Sequence, residues 1–244
     1  MQLYIIRHCQ SQNNELWRRT GSSDDRAADP PLTATGFKQA KLLAQHLGAP
    51  QDHTASSDNH ILSYNITYLY CSLMRRSIET GLAIAEATAL PLVVREDIHE
   101  RGGIYLKNPH TQEREGLPGP NRDHFQANYP NLILPETLGE QGWWNRPYED
   151  RNMALSRAAV FLHWLIDKHD GTEDRVAIVS HGGFMQSLFQ TLLEAPLQNK
   201  RLGTSRDIWL KANNGSITRL DFMNGGIRLA YMNRIGYLPA NLIT

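Results

Sequence analysis

Short runs of apolar, β-branched and aromatic residues alternate along this chain with longer stretches of helical periodicity, and that order constrains the fold more than any other feature. Residues 3–6 read as a short buried strand. Thr33 is placed to cap a helix whose apolar residues Phe37, Ala40, Ala44 and Leu47 recur at three and four, with Gly48 and Pro50 to stop it. The spacing then predicts a strand over 66–70, a helix over about 74–89 and a short strand over 91–95. After a break come an amphipathic helix around 151–168, a strand over 176–180 and a helix through 184–193. Strands with no polar face, separated by helices, imply a mostly parallel sheet covered on both sides, so a three-layer α/β/α sandwich is expected.

Two segments depart from the alternation. Residues from about 102 to 150 are rich in proline and glycine, and only 122–128 reads as briefly helical, so an insertion lying over a site as a mobile flap is expected there. The tail reads as three short strands at 208–211, 216–222 and 227–232, joined by the hairpin signals Asn213-Asn214-Gly215 and Asn224-Gly225. With no internal repeat or low-complexity linker, residues 1–244 read as a single domain.

The charge balance excludes some classes of partner. Lys+Arg and Asp+Glu both number 25, so nothing in the bulk composition points to nucleic acid or a membrane surface. Neither a leader-like segment nor an apolar run near the roughly 20 residues of a membrane helix is seen, and a cytoplasmic protein is expected. Two cysteines, Cys9 and Cys71, are too few for a disulfide framework. Both fall at strand ends, where either two buried thiols or a reversible disulfide would fit. A homo-oligomer stays open. His46, His53 and His60 repeat at seven across a helix end and a polar loop, which is a poor metal-ligand pattern, and no metal or cofactor is expected. Arg18-Arg19 could line a substrate entrance or be solvated.

The chemistry gathers at strand ends. Arg7-His8 follows the first strand and His181-Gly182 follows the strand at 176–180, with Arg76 just after the strand at 66–70. Ligands of open α/β sheets bind at the carboxyl ends of strands, so these histidines and arginines are placed to converge on one anionic group. Planar guanidinium forks match phosphate oxygens, and an imidazole nitrogen freed by a hydrogen bond to its partner nitrogen can attack phosphorus.

The pattern extends further: Asn14 six residues after His8, Asp29…Leu32-Thr33-x-x-Gly36-x-x-Gln39-Ala40, Ser72-x-Met74-x-Arg76-Ser77-x-Glu79-Thr80, and Glu100 a few residues after the strand at 91–95. In this order the pieces resemble the histidine phosphatase superfamily, which includes the cofactor-dependent phosphoglycerate mutases, over most of the chain. The resemblance implies a phosphoglycerate mutase-like fold and phosphate-ester hydrolysis through a phosphohistidine on a small phosphorylated metabolite. It implies His8 as nucleophile, Arg7, Arg76 and His181 as phosphate ligands, with Asn14 and Gly182 beside them, and Glu100 as the acid for the leaving group. A carboxyl can serve as acid near neutral pH where burial or a nearby negative charge, such as bound phosphate, keeps it protonated. Arg75 is the alternative to Arg76, and Glu96 or Asp97 the alternative to Glu100.

Arg101 is placed to touch substrate. Within Trp143-Trp144-Asn145-Arg146-Pro147-Tyr148-Glu149, similar to a stretch that mutases use near a substrate carboxylate, Arg146 is a second candidate, although aromatic packing explains the stretch as well. Cys9 stands where the family usually has glycine, and its side chain would either crowd the phosphate or alter the backbone. Two alternatives remain: a mutase that returns the phosphoryl group to its substrate, and a catalytically silent protein that recognises phosphate.

Overall fold

The computed structural model describes residues 1–49, 64–193, 209–223 and 225–244. The chain runs through β1 (Gln2–Arg7), α1 (Gln12–Thr20), α2 (Ala34–Gly48), β2 (Tyr68–Cys71), α3 (Arg75–Thr88) and β3 (Leu92–Val94). It continues through β4 (Tyr105–Lys107), β5 (Arg114–Gly116), α4 (Arg122–Asn128) and β6 (Leu132–Ile133). It closes with α5 (Arg151–His169), β7 (Arg175–Ser180), α6 (Gly182–Leu192), β8 (Ile217–Met223) and β9 (Gly226–Arg234).

Among the described residues, seven strands form one sheet in the order β6-β3-β2-β7-β1-β8-β9. The pairs β6/β3, β3/β2, β2/β7 and β7/β1 are parallel, whereas β8 pairs antiparallel with both β1 and β9. The central strands bury both faces. In β1, Tyr4 and Ile6 join the core shared with Leu43 and Leu47 of α2 and Ile78 and Ile84 of α3. Leu3 and Ile5 point the other way, into the core shared with Phe161 and Leu165 of α5 and Phe184 and Leu188 of α6. Strand β7 divides likewise, Ala177 and Val179 on one side and Val176 and Ile178 on the other. This is why these strands read as unbroken apolar runs: alternation sends every second residue to an opposite apolar layer. The three-layer α/β/α sandwich is the observed architecture.

Three details differ from the sequence reading. Phe37 is 52% exposed, because the inward stripe of α2 is Gly36, Gln39, Ala40, Leu43, Ala44 and Leu47. Residues 209–211 form no strand; the Leu210 amide donates to Oε1 of Gln186 at 3.0 Å instead of to a neighbouring strand. The helix α1 buries none of its residues, and its only apolar residues, Leu16 and Trp17, are adjacent, so no helical spacing of apolar residues marks it in the sequence. Pro50, His53, His60 and Asn224 lie outside the described residues. Within 102–150 the chain forms the separate β4-β5 hairpin, the helix α4 and the edge strand β6, while Trp143 and Trp144 are buried in the core.

Candidate active site

Strand register brings the chemistry together. Arg7 lies opposite Ser180 in the β1/β7 ladder, and Cys71 lies opposite Val179 in the β2/β7 ladder. The next residue of each strand end, His8, His181 and Ser72, therefore emerges at one edge. The His8 amide closes the β1 end on the Ser180 carbonyl at 2.9 Å, and the His8 and His181 ring centroids stand 5.0 Å apart.

The His8 Nδ1–H donates to the carbonyl of Cys9 at 2.7 Å, which leaves the lone pair on Nε2. The Nε–H of Arg76 faces that atom at 3.2 Å. Burial, then the nearby Arg76 and Arg7 guanidiniums, hold the His8 pKa well below the ordinary histidine value, so the ring is a neutral electron-pair donor. His181 is also held neutral by burial and Arg76, with Nε2 against the Ser72 hydroxyl at 2.7 Å. Three buried nitrogens around these rings have no hydrogen-bond partner: Arg7 Nε, Arg76 Nη1 and His181 Nδ1. Unsatisfied buried polar atoms of this kind call for a ligand rich in acceptors.

A cavity of about 490 Å³ opens over this edge, lined by Arg7, His8, Asn14, Arg76, Glu100 and Arg101 among others. His181 and Gly182 stand just behind its wall, an added Cβ on Gly182 lying 3.7 Å from Arg7 Nε. Asn14 Oδ1 accepts from the Ser11 amide at 3.1 Å and from Asn214 at 3.0 Å, so its amide nitrogen is the end left for the cavity. Glu100 accepts from the Arg101 amide at 2.8 Å, and its carboxylate lies so close to Gly183 that any side chain there would strike it. Glu96 and Asp97 are engaged elsewhere, with Thr137 at 3.1 Å and Arg95 at 2.5 Å. Arg75 is half exposed and pairs with Glu79 at 2.7 Å, so Arg76 is the arginine in the pocket. Its Nη1 stands 3.5 Å from Asp29, whose pKa burial pushes up to about 6.

Arg146 is absent from the cavity wall; its guanidinium lies over Trp144 at 4.1 Å, and Trp144 packs against His99. Tyr148 from the same stretch does line the cavity. Arg18 and Arg19 are exposed and off the wall, and His46 bonds the Tyr64 hydroxyl at 2.9 Å. Cys9 packs into the core away from the cavity, without a positive φ, and its amide donates to Thr80 Oγ1 at 3.1 Å. Both cysteines are free and buried, and burial pushes the Cys9 thiol up to about 12.

The spacings of the sequence motifs have physical causes. The Thr33 hydroxyl caps α2, and Gly36 lets that helix approach the Gln10 carbonyl more closely than a Cβ would allow. Gln39 accepts from the Gln10 amide at 2.7 Å and donates to the Leu242 carbonyl at 2.7 Å, tying the loop after His8 to the C-terminal segment. Ser77 donates to the Val179 carbonyl at 2.7 Å, and Glu79 accepts from the Leu32 amide at 2.7 Å. Asn214, which in the sequence reads only as part of a hairpin signal, donates to the His8 carbonyl at 3.0 Å. Arg7 Nη1 donates to the Ala212 carbonyl. Arg26, Tyr105, Arg114 and Trp209 are further wall residues with no sequence signal.

Two neutral histidines and two guanidiniums thus meet at the carboxyl edge of an α/β sheet, an arrangement with the charge and donors to hold an oxyanion. A family model of the histidine phosphatase superfamily (branch 1) matches residues 3–235, and the chain belongs to that superfamily. It is 24% identical over 213 residues to a metal-independent phosphoserine phosphatase of Arabidopsis thaliana, covering 85% of this chain and 75% of the relative. It is 25% identical over 222 residues to a Yersinia pestis protein named "Probable phosphoglycerate mutase GpmB", covering 91% and 85%. Among solved structures, phosphoserine phosphatase from Entamoeba histolytica in complex with 3-phosphoglyceric acid superposes with a TM-score of 0.59 at 19% identity, covering 98% of this chain and 99% of the other.

Proposed function

We propose that this protein is a metal-independent phosphomonoester hydrolase that works on a small phosphorylated metabolite through a phosphohistidine. The observation that carries the reading is the pairing of an electron-pair donor with waiting positive groups: neutral His8, its Nδ1–H held by Cys9, beside the Arg76 guanidinium and the buried Arg7 Nε and His181 Nδ1, which have no hydrogen-bond partner. Arg7 and Arg76, with Asn14, His181 and the Gly182 end of α6, take the phosphate oxygens. His8 Nε2 forms a bond to phosphorus as the ester P–O bond breaks, and Glu100 gives its proton to the departing alkoxide. Water then attacks phosphorus, Glu100 takes a proton from it, the P–N bond breaks, and His8 returns neutral with phosphate released. Glu100 is the only carboxyl lining the cavity among the described residues, which supports its role.

Hydrolysis is preferred to phosphoryl return. Trp17 and Trp209 at the cavity wall are 59% and 64% exposed, so solvent reaches the site, and Arg146 stacks on Trp144 off the cavity wall. The 102–150 segment contributes Tyr105, Arg114 and Tyr148 to the wall, which fits the role of an insertion that shapes specificity. Two free thiols fit a cytoplasmic setting, and no helix among the described residues is long and apolar enough to cross a membrane. The test is acid-labile labelling. The wild type should acquire phosphate from a labelled ester and release it to water, and His8→Ala should do neither. Turnover undiminished in that variant would refute the assignment.

A further inference from the structure

The cavity carries more positive charge than one phosphate group uses. Arg7, Arg26, Arg76, Arg101 and Arg114 line it with a single carboxylate, Glu100. Arg7 and Arg76 serve the transferred phosphate. The other three have no ion-pair partner among the described residues, and neighbouring acids are engaged elsewhere: Asp24 with Lys107 at 3.6 Å, Glu115 with Asn108 at 2.9 Å.

Two of the three are held in a distinctive way. Arg26, from the loop between α1 and α2, lies 3.9 Å over the ring of Tyr105, and Arg114, at the start of β5, lies 4.5 Å over Tyr148. The two tyrosines meet edge to face at 4.7 Å, so loop and hairpin form one wall. Stacking occupies the flat face of a guanidinium and leaves its in-plane N–H groups free to donate. Arg26 Nε is in fact a buried donor with no hydrogen-bond partner. Arg101 completes the cluster, its guanidinium 5.7 Å from the Trp209 ring. The space is generous: at about 490 Å³ the cavity falls in the range of small-molecule sites and accommodates a sugar phosphate.

We infer that the substrate is a phosphate monoester of about that size carrying a second anionic group, carboxylate or phosphate, which Arg26 and Arg114 bind with help from Arg101. The inference rests on the phosphatase reading and names the substrate class. Matched pairs test it: 6-phosphogluconate against glucose 6-phosphate for a carboxylate, and fructose 1,6-bisphosphate against fructose 6-phosphate for a phosphate. The wild type should favour the doubly anionic member of at least one pair by about 10- to 100-fold in kcat/KM, the range of one or two charge-assisted hydrogen bonds. Arg26→Ala and Arg114→Ala should each bring that ratio towards one, whereas Arg18→Ala, at an exposed position, should keep it. The pair that discriminates identifies the anion. The same compounds are titrated into His8→Ala by calorimetry. Equal turnover of both members of both pairs would overturn the inference and leave the phosphatase reading intact. Preferential binding of a doubly anionic compound without turnover of any ester would uphold the subsite and overturn the phosphatase reading. Neither preference nor turnover would overturn both.

Discussion

Acidification from about pH 7.5 to about 5.5 should cost the unliganded protein up to about 3 kcal/mol of folding stability, set by three buried histidines, His8 and His181 of the site and His99 behind it, and by Asp29. His8, His99 and His181 are each held well below the ordinary histidine pKa of 6.5, by burial first and then by Arg76 beside His8 and His181 and Arg157 beside His99. The unfolded chain protonates these rings near the ordinary value, so unfolding takes up protons below it. The stability they confer is complete above pH 6.5 and is lost as the pH falls through that value towards their folded pKa values. One pH unit below it, each ring that stays neutral in the folded protein accounts for roughly 1 kcal/mol or a little more, and the three together for up to about 4 kcal/mol. Asp29 acts in the opposite sense. Its pKa is raised from 3.8 to about 6, so between those values the folded protein holds a proton that the unfolded chain does not. That returns about 1 kcal/mol at pH 5.5 and leaves a net loss of up to about 3. Urea unfolding followed by circular dichroism at several pH values measures it, and His181→Gln should shrink the loss by about 1 kcal/mol. Stability that stays flat or rises over this interval would refute the claim that the site histidines are neutral.

Arg76→Ala should lower kcat/KM by about a hundredfold or more, as for the loss of a donor to developing charge, whereas Arg75→Ala, on a half-exposed ion pair, should keep most activity. The reverse pattern would mean that the other arginine holds phosphate. Glu100→Gln should slow esters with poor alkoxide leaving groups by about 10²- to 10⁴-fold while sparing activated aryl phosphates, which need little protonation. Equal losses on both would place the acid elsewhere.

The layers of this fold were legible because the central strands are buried on both faces and the helices α2, α3 and α5 on one. The strand-end histidines were legible for a related reason: in a parallel sheet the position of a residue at the end of an apolar run is also its position relative to a ligand. His8, Arg76 and Glu100 each follow an apolar run in the sequence, and the structure brings them to one cavity. Residues that act through long-range contact left no such trace. Asn214 holds the His8 carbonyl from more than two hundred residues away, and its neighbours in sequence read only as a hairpin turn. Arg146 misled for the same reason in reverse. Its local pattern suggested a carboxylate ligand, but the stretch is organised by Trp143 and Trp144 packing around His99, and that packing turns Arg146 onto Trp144.

The division follows the physics of the site. Reaction chemistry needs groups set by the rigid sheet, and those obey periodicity. Substrate choice falls to groups carried on loops, Arg26 before α2 and Arg114 on the hairpin, whose positions are set by side-chain stacking on Tyr105 and Tyr148. A loop arginine in sequence looks like any solvated charge. It becomes a specificity element only where it lines the cavity and the fold brings an aromatic face beneath it and no carboxylate beside it. That condition is met at Arg26 and Arg114 among the described residues, whereas Arg75 has Glu79 and Arg157 has Glu149.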